Sequence, residues 1–519
     1  MKNRIFSIIT VLSLFIGCCS YTVNAVTISP NGDGVYEISS YEQLCIFADL
    51  VNGQGIYSSS GAIKNADAVL VSDIIANEGL LNEDGSIAAD DPRVWEAMRD
   101  YGGVFDGGGY SIIGLYSDGY DTDTGLFSVL SEGSQVKDLN IKGSYIGGKT
   151  SVGMIAGRSY GDISGCTSDG NVAAYGCTDG IGGIVGVTYG NVTNCKNYSY
   201  ILSISEATDG KYGDYAAGIA GISYGKIEKC VNEGDITAAD ASSGGICGKG
   251  TFVTDCYNIS SVSGIVSVGG ICAALEGKIE NCYNVGEIYA DATQHTNAGA
   301  ILGVCSVSDE NVGDTDTVNG VVNSYYITTS VNGVGAYISP DGSLDQSERE
   351  DTGAEMKAPV SFENGNVAHL LGDSYGMLIG QDKYPVFNDG SNTVYMIGGI
   401  ACSNGGEVLG VNEYGYTNGG AFVIAKDGYA FAGWYDNAGI VSHDSEISLA
   451  SVSDSTVLRA LFVQKGDVNC DGVINAKDVI KYKKFFAEKA EIYNGIGDVD
   501  NDGDTDTDDV KLIASDILQ

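Results

Sequence analysis

Basic residues are scarce in this chain. Only 27 Lys and Arg stand against 68 Asp and Glu in 519 residues, a formal charge of −41, and that imbalance excludes a face built to hold nucleic acid. Histidine is rarer still. His295, His369 and His443 lie outside any metal-ligand spacing and no H-E-x-x-H occurs, which removes the common zinc hydrolases. No C-x-x-C pair is present, so zinc ribbons drop out too. Past residue 25 no stretch is apolar enough for a membrane span. The one long apolar run, Ile5 to Gly17, follows Lys2 and Arg4 and precedes Val23-Asn24-Ala25. It is too short to cross a bilayer and reads as a secretory signal over residues 1–25, predicting an exported, extracellular, acidic protein. Phe15-Ile16-Gly17-Cys18 leaves a lipoprotein as the alternative.

What the sequence does have is a repeat. From Ser151 to about Tyr326 a unit recurs every 26 to 35 residues, the mark of a stacked architecture. Its anchor is a small-x-Ile-x-small cluster centred on Ile155, Ile184, Ile219, Ile246, Ile271 and Ile301. Eight or nine residues after the last residue of five of these clusters comes Cys166, Cys195, Cys230, Cys256 or Cys282. A β-branched residue lies three before each cysteine (Ile163, Val192, Ile227, Val253, Ile279) and another six after it (Val172, Ile201, Ile236, Val262, Ile288). Short β-branched strands between Gly-rich corners fit a parallel β-helix, with coils about 4.8 Å apart. The expected fold is therefore mainly β, a right-handed parallel β-helix over residues 26–340. Its cysteines read as small buried hydrophobes, with some disulfides as the alternative in an exported chain. Asn197, Asn232, Asn258 and Asn284, each two residues past a cysteine, suit an asparagine ladder.

The motif G-G-I-V-G followed by G-x-I-x-x-C-x-N resembles the GLUG repeat of secreted and surface-attached bacterial proteins, a resemblance that implies a fold better than a function. Gly103 to Leu115 and Gly125-Leu126-Phe127 match the lead-in coils that precede such repeats. Ser40-Tyr-Glu-Gln43 is a capping box that opens a helix with Leu44, Phe47, Ala48 and Val51 on one face, placed to plug the open end of the stack. Residues 341–390 lose the repeat and read as the cap at the other end. Residues 391–464, with Gly428 to Tyr435 and a strand from Val457 to Val463, resemble the small β-domain of the internalin B-repeat kind. Its aromatic cluster reads as core, with strand-like alternation at Tyr429, Phe431 and Gly433.

Residues 465–519 hold one twelve-residue loop twice, 31 residues apart. The first copy places Asp467, Asn469, Asp471, Asn475 and Asp478 at positions 1, 3, 5, 9 and 12; the second places Asp498, Asp500, Asp502, Asp506 and Asp509 there. Gly472 and Gly503 stand at position 6, and Val473 and Asp504 at position 7 would each add a backbone carbonyl. This is the pattern that a seven-coordinate Ca²⁺ requires, so two calcium ions are expected. Past each loop the stripes Val479, Tyr482, Phe486 and Val510, Ile513, Ile517 predict two short helices with one buried face each. Loop then helix, twice, with a strand before the first loop, looks like a type I dockerin. The resemblance covers Gly466 to Leu518 and implies an all-α module that plugs, with calcium bound, into a cohesin of a cellulosome scaffold. By that resemblance the cohesin contacts fall at Ala476, Lys477, Lys483 and Lys484 in one copy and at Thr507 and Asp508 in the other. Because the copies differ in charge, a single docking orientation is expected.

A catalytic set is harder to find. A uronate lyase needs a basic residue to take the proton, and the only arginine between 100 and 340 is Arg158. An inverting glycosidase needs carboxyls about 6.5–9.5 Å apart. Asp235 and Glu287 share a column two coils apart, about 9.6 Å by strand spacing, a coincidence expected among so many acids. Tyr160, Tyr189 and Tyr224 form their own column, six residues before the ladder cysteine. They read either as a ladder stabilising the turns or as rings that stack on sugars. Two functions follow: a secreted, cellulosome-docked component whose β-helix serves polysaccharide binding or adhesion, and, as the alternative, a docked glycoside hydrolase or polysaccharide lyase.

Overall fold

The computed structural model describes residues 26–518 apart from 119–122, 177–178, 205–213, 240, 291–296, 307–319, 328–330, 339–343, 346–352, 398–404, 449–456 and 494. The signal segment, Cys18 and His295 lie outside the described residues. The chain is mainly β, built on a parallel β-solenoid of about nine turns. One coil shows the plan: strands Tyr215–Ala217, Ala220–Glu228, Val231–Asn232 and Ile236–Ala238 contribute to three sheets in turn. The columns seen in sequence become ladders. Ile163, Val192, Ile227, Val253 and Ile279 pair in register, and so do Val172, Ile201, Ile236, Val262 and Ile288. The anchor isoleucines stack through their own backbones, from Ile155 N–H on Ile184 O to Ile271 N–H on Ile301 O, and all are buried.

Each ladder cysteine follows a corner that must turn sharply. The residue before it has positive φ: Gly165, Asn194, Lys229, Asp255 and Asn281 lie between 50° and 63°, where Gly, Asn and Asp are favoured. The ten described cysteines are all free. Geometry explains this, because parallel neighbours in register keep their Cβ atoms about 4.8 Å apart, beyond the usual disulfide range of about 3.5–4.5 Å. Sulfur instead accepts from the coil below: Cys195, Cys230 and Cys256 N–H point at Cys230, Cys256 and Cys282 Sγ at 3.5, 3.3 and 3.4 Å. Burial pushes the thiols of Cys166, Cys195, Cys230 and Cys256 up.

The asparagine ladder is continuous. The Nδ2 of Asn197, Asn232 and Asn258 donates to the Oδ1 of Asn232, Asn258 and Asn284, at 2.7 Å each time. This ladder dictates the glycine that precedes Ile184 and Ile219. A Cβ on Gly183 would lie 2.1 Å from Asn197 Oδ1, and one on Gly218 2.1 Å from Asn232 Oδ1.

The helix Tyr41–Asn52 has the expected N-cap, Ser40 Oγ accepting from Gln43 N–H, but the return bond of the box is displaced by one residue, Gln43 Oε1 accepting from Ser39 N–H and not from Ser40. Leu44, Phe47, Ala48 and Val51 join the solenoid core. At the other side the placement differs from expectation. Strand Ala354–Lys357 still pairs with Ser324–Ile327, so the ladder runs past residue 340. Helices Pro359–Glu363 and Asn366–Leu371 do not close the end of the stack. They lie, with Tyr375 and Phe387, against Val231, Tyr257, Tyr283 and Tyr325 on the outside of the coils. That outward row is apolar in these coils and needs a cover.

The small β-domain is two sheets. Val457–Gln464 sits centrally in the five-stranded one, antiparallel to Tyr429–Tyr435. The expected alternation breaks at a bulge between Phe431 and Gly433, whose φ is 150°. The extra residue turns Trp434 rather than Gly433 onto the face of Phe431, and both are core. Ala430, Ala432 and Val463 serve a separate core, shared with Val468, Tyr482, Ile496 and Ile513 of the C-terminal segment. That segment carries two helices, Ala476–Phe486 and Thr507–Leu518. Their stripes are buried at Tyr482 and Ile513 but surface at Phe486 and Ile517, so each buried face ends one turn earlier than the spacing predicts.

Candidate functional site

Each C-terminal loop is closed by the acid at position 12, buried at the start of its helix. Asp478 Oδ1 accepts from Asn469 N–H and Oδ2 from Asn475 N–H, at 3.1 and 2.8 Å. Asp509 repeats this, Oδ1 accepting from Val499 N–H at 2.6 Å and Oδ2 from Asp506 N–H at 2.8 Å. At position 1 of the first loop, Asp467 accepts from Asp471 and Gly472 N–H. Gly472 and Gly503 have φ of 85° and 98°, the tight turn expected at position 6.

These bonds draw the oxygens together. Carboxylate oxygens of Asp498, Asp500 and Asp502 lie within 4.8 Å of one another, as do those of Asp504, Asp506 and Asp509. Asp504, expected to offer only its carbonyl, brings its side chain into the second group. Mutual repulsion shows in proton affinity: the Asp504 carboxyl is pushed up first by Asp502, and that of Asp500 by desolvation and then by Asp502. Burial, then Asp478, raises Asp467. Asn469 Oδ1 and Asp498 Oδ1 are buried with no hydrogen-bond donor, a costly state for an acceptor. An oxygen cage of this composition suits a hard divalent cation. Asn475 at position 9 also serves the helix start, as Asp506 does in the second loop through Asp508 N–H. Its Oδ1 caps the helix through Lys477 N–H, and its amide donates to Val473 O. Position 9 commonly reaches its ion through water.

Sequence reasoning missed two lysines' work here. Lys477 Nζ sits 2.9 Å from Asp471 Oδ2 and holds that carboxyl low. Lys465, at the end of the small β-domain, reaches Asp498 Oδ2 at 3.3 Å and Asn501 Oδ1 at 2.6 Å. The six expected contact residues Ala476, Lys477, Lys483, Lys484, Thr507 and Asp508 are all exposed. Ile480, 53% exposed, falls on the first helix one turn past Ala476, an apolar member of that surface not singled out in the sequence.

On the solenoid, Tyr160, Tyr189 and Tyr224 do form a column. Their rings stack on one another at 4.8 and 4.7 Å, within 15° of parallel, so their inner faces are taken. Asp235 and Glu287 are exposed with Ser261 between them in the column; Ser261 N–H and Oγ–H both donate to Asp235 Oδ1, and Tyr289 donates to Glu287. Arg158 is clamped by Asp179 at 2.7 Å and Asp123 at 3.4 Å, with Ser151 beside it. Among the described residues no nucleophile stands beside a base in the manner of a hydrolytic set.

No family model matches the chain, and no curated protein matches it. Among solved structures, a crystal structure of a Bacteroides ovatus protein proposed to be an immunoglobulin A1 protease is similar over 69% of this chain and 94% of its own length, at 17% identity and a TM-score of 0.39. An IgA1 protease is similar over 62% of this chain and 21% of its own length, at 17% identity and a TM-score of 0.36.

Proposed function

We propose that this is a secreted component that docks, through its C-terminal module and bound calcium, onto a cohesin-bearing scaffold, with the solenoid serving binding or adhesion in polysaccharide degradation. The observation that carries the calcium part is the pair of loops, each closed by a buried position-12 aspartate around oxygens left without donors, Asn469 Oδ1 and Asp498 Oδ1. Calcium would supply the positive charge those acceptors lack, with Asp467, Asn469, Asp471, Asn475 and Asp478 holding one ion and Asp498, Asp500, Asp502, Asp506 and Asp509 the other. The exposed, differently charged surfaces at Ala476-Lys477 and Thr507-Asp508 support docking in one orientation. The clamped Arg158 and the Ser261-bonded Asp235 favour a binding role over catalysis. Calorimetric calcium titration of the chelated full chain tests the first step. Two ions per chain are expected, falling to one in Asp467→Ala or Asp498→Ala; no uptake would end the proposal.

A further inference from the structure

The column that holds Asp235 and Glu287 belongs to a wider outward face. One row runs through Tyr145, Asn171, Tyr200, Asp235, Ser261 and Glu287, one residue before the inward β-branched ladder. A neighbouring row adds Thr237, Ser263 and Tyr289. The hairpin bridged at Leu81 and Ile87 stands over this face at one end, where Asn171 Nδ2 donates to Gly85 O at 2.6 Å. Beyond that wall no described residue covers the face from Tyr200 to Tyr289, three coil spacings or about 14 Å. A trough of about 370 Å³ borders the neighbouring row, lined by its Thr237, Ser263 and Tyr289 and, on the side away from Asp235 and Glu287, by Ala239, Ile265 and Ala290.

Tyr200 and Tyr289 are 37% and 53% exposed. Unlike the Tyr160 column, neither ring stacks on another aromatic ring among the described residues. Flat aromatic surface beside fixed acceptors is what a sugar ring meets in a binding site, its C–H face on the ring and its hydroxyls on the oxygens. Asp235 and Glu287 are held in place as acceptors by Ser261 and Tyr289. Neither row carries a Lys or Arg, so a uronate chain would meet uncompensated negative charge.

We infer that the face from Tyr200 to Tyr289 binds a neutral polysaccharide running along the solenoid axis. This rests on reading the solenoid as the binding part of the protein and is independent of docking. Affinity electrophoresis of the calcium-loaded full chain in mixed-linkage β-glucan, xyloglucan, galactomannan and polygalacturonate tests it. Retardation by at least one of the three neutral glycans is expected, weakened tenfold or more in Tyr200→Ala and in Tyr289→Ala and unchanged in Tyr189→Ala. No retardation by any neutral glycan would overturn the inference, as would equal retardation of all variants or a preference for polygalacturonate. Cohesin capture by the same variants, measured alongside, separates failure of this face from failure of docking.

Discussion

Asn258 is fully buried inside a chain of amide hydrogen bonds, so its removal breaks the chain on both sides. Asn258→Ala removes the bonds from Asn232 Nδ2, to Asn284 Oδ1 and to Ser260 O, at about 0.5–1.5 kcal/mol for each, while Asn232 and Asn284 keep Gly234 O and Gly286 N–H as partners. Gly245→Ala reaches the same ladder by overpacking, since its Cβ would lie 2.6 Å from Asn258 Cγ as well as 2.0 Å from Gly270 O. Both variants should show a clearly lowered denaturant midpoint for the solenoid transition, and an unchanged midpoint would refute the ladder's structural role. Protons should compete with calcium for the loop carboxylates. Asp467, Asp500 and Asp504 bind protons more tightly when folded than when unfolded. Through these groups the calcium-free module therefore loses stability as pH rises above the ordinary carboxylate range, while Asp471, held low by Lys477, opposes the trend. Calcium affinity should rise with pH over that same window, and a titration series with a flat profile would contradict it.

At the level of elements, ladders were open to sequence reading because a parallel stack repeats its inward positions. Ile, Cys and Asn recur at fixed offsets, and each column became a ladder in the fold. The corners were harder. Gly165, Asn194, Lys229 and Asp255 share positive φ without sharing a side chain, so backbone need alone aligns them. The placement of residues 359–387 was invisible, because it depends on a row of outward tyrosines that periodicity counts as solvent-facing. In the small domain a one-residue bulge moved Trp434 into the core, which alternation cannot anticipate. For the paired helices, the exposed Ala476-Lys477 and Thr507-Asp508 predict unequal docking faces. Exchanging the two pairs should weaken cohesin binding at least tenfold on a calcium-loaded chain; equal affinity would indicate that either orientation serves.

Across the whole molecule, the C-terminal module is welded to its neighbour. Ala430, Ala432 and Val463 of the β-sheet share one core with Tyr482, Ile496 and Ile513, and His443 stacks on Tyr493 at 3.6 Å. Chelation should therefore lower the melting transition of the β-domain together with the module, leaving the solenoid transition in place. Separate, unshifted melting of the β-domain would show that the shared core carries no coupling. The solenoid, with its helix plug and lateral cover, stands apart from the loops and projects the face between Tyr200 and Tyr289. In the proposed function, docking and binding would fall to different parts of the chain. The most direct test of the central claim is capture of the full chain by a panel of type I cohesins, measured in calcium and again in excess chelator. The account predicts that at least one cohesin captures the chain in calcium and releases it on chelation. Failure of every cohesin to capture it, or capture that chelation leaves intact, would contradict the account.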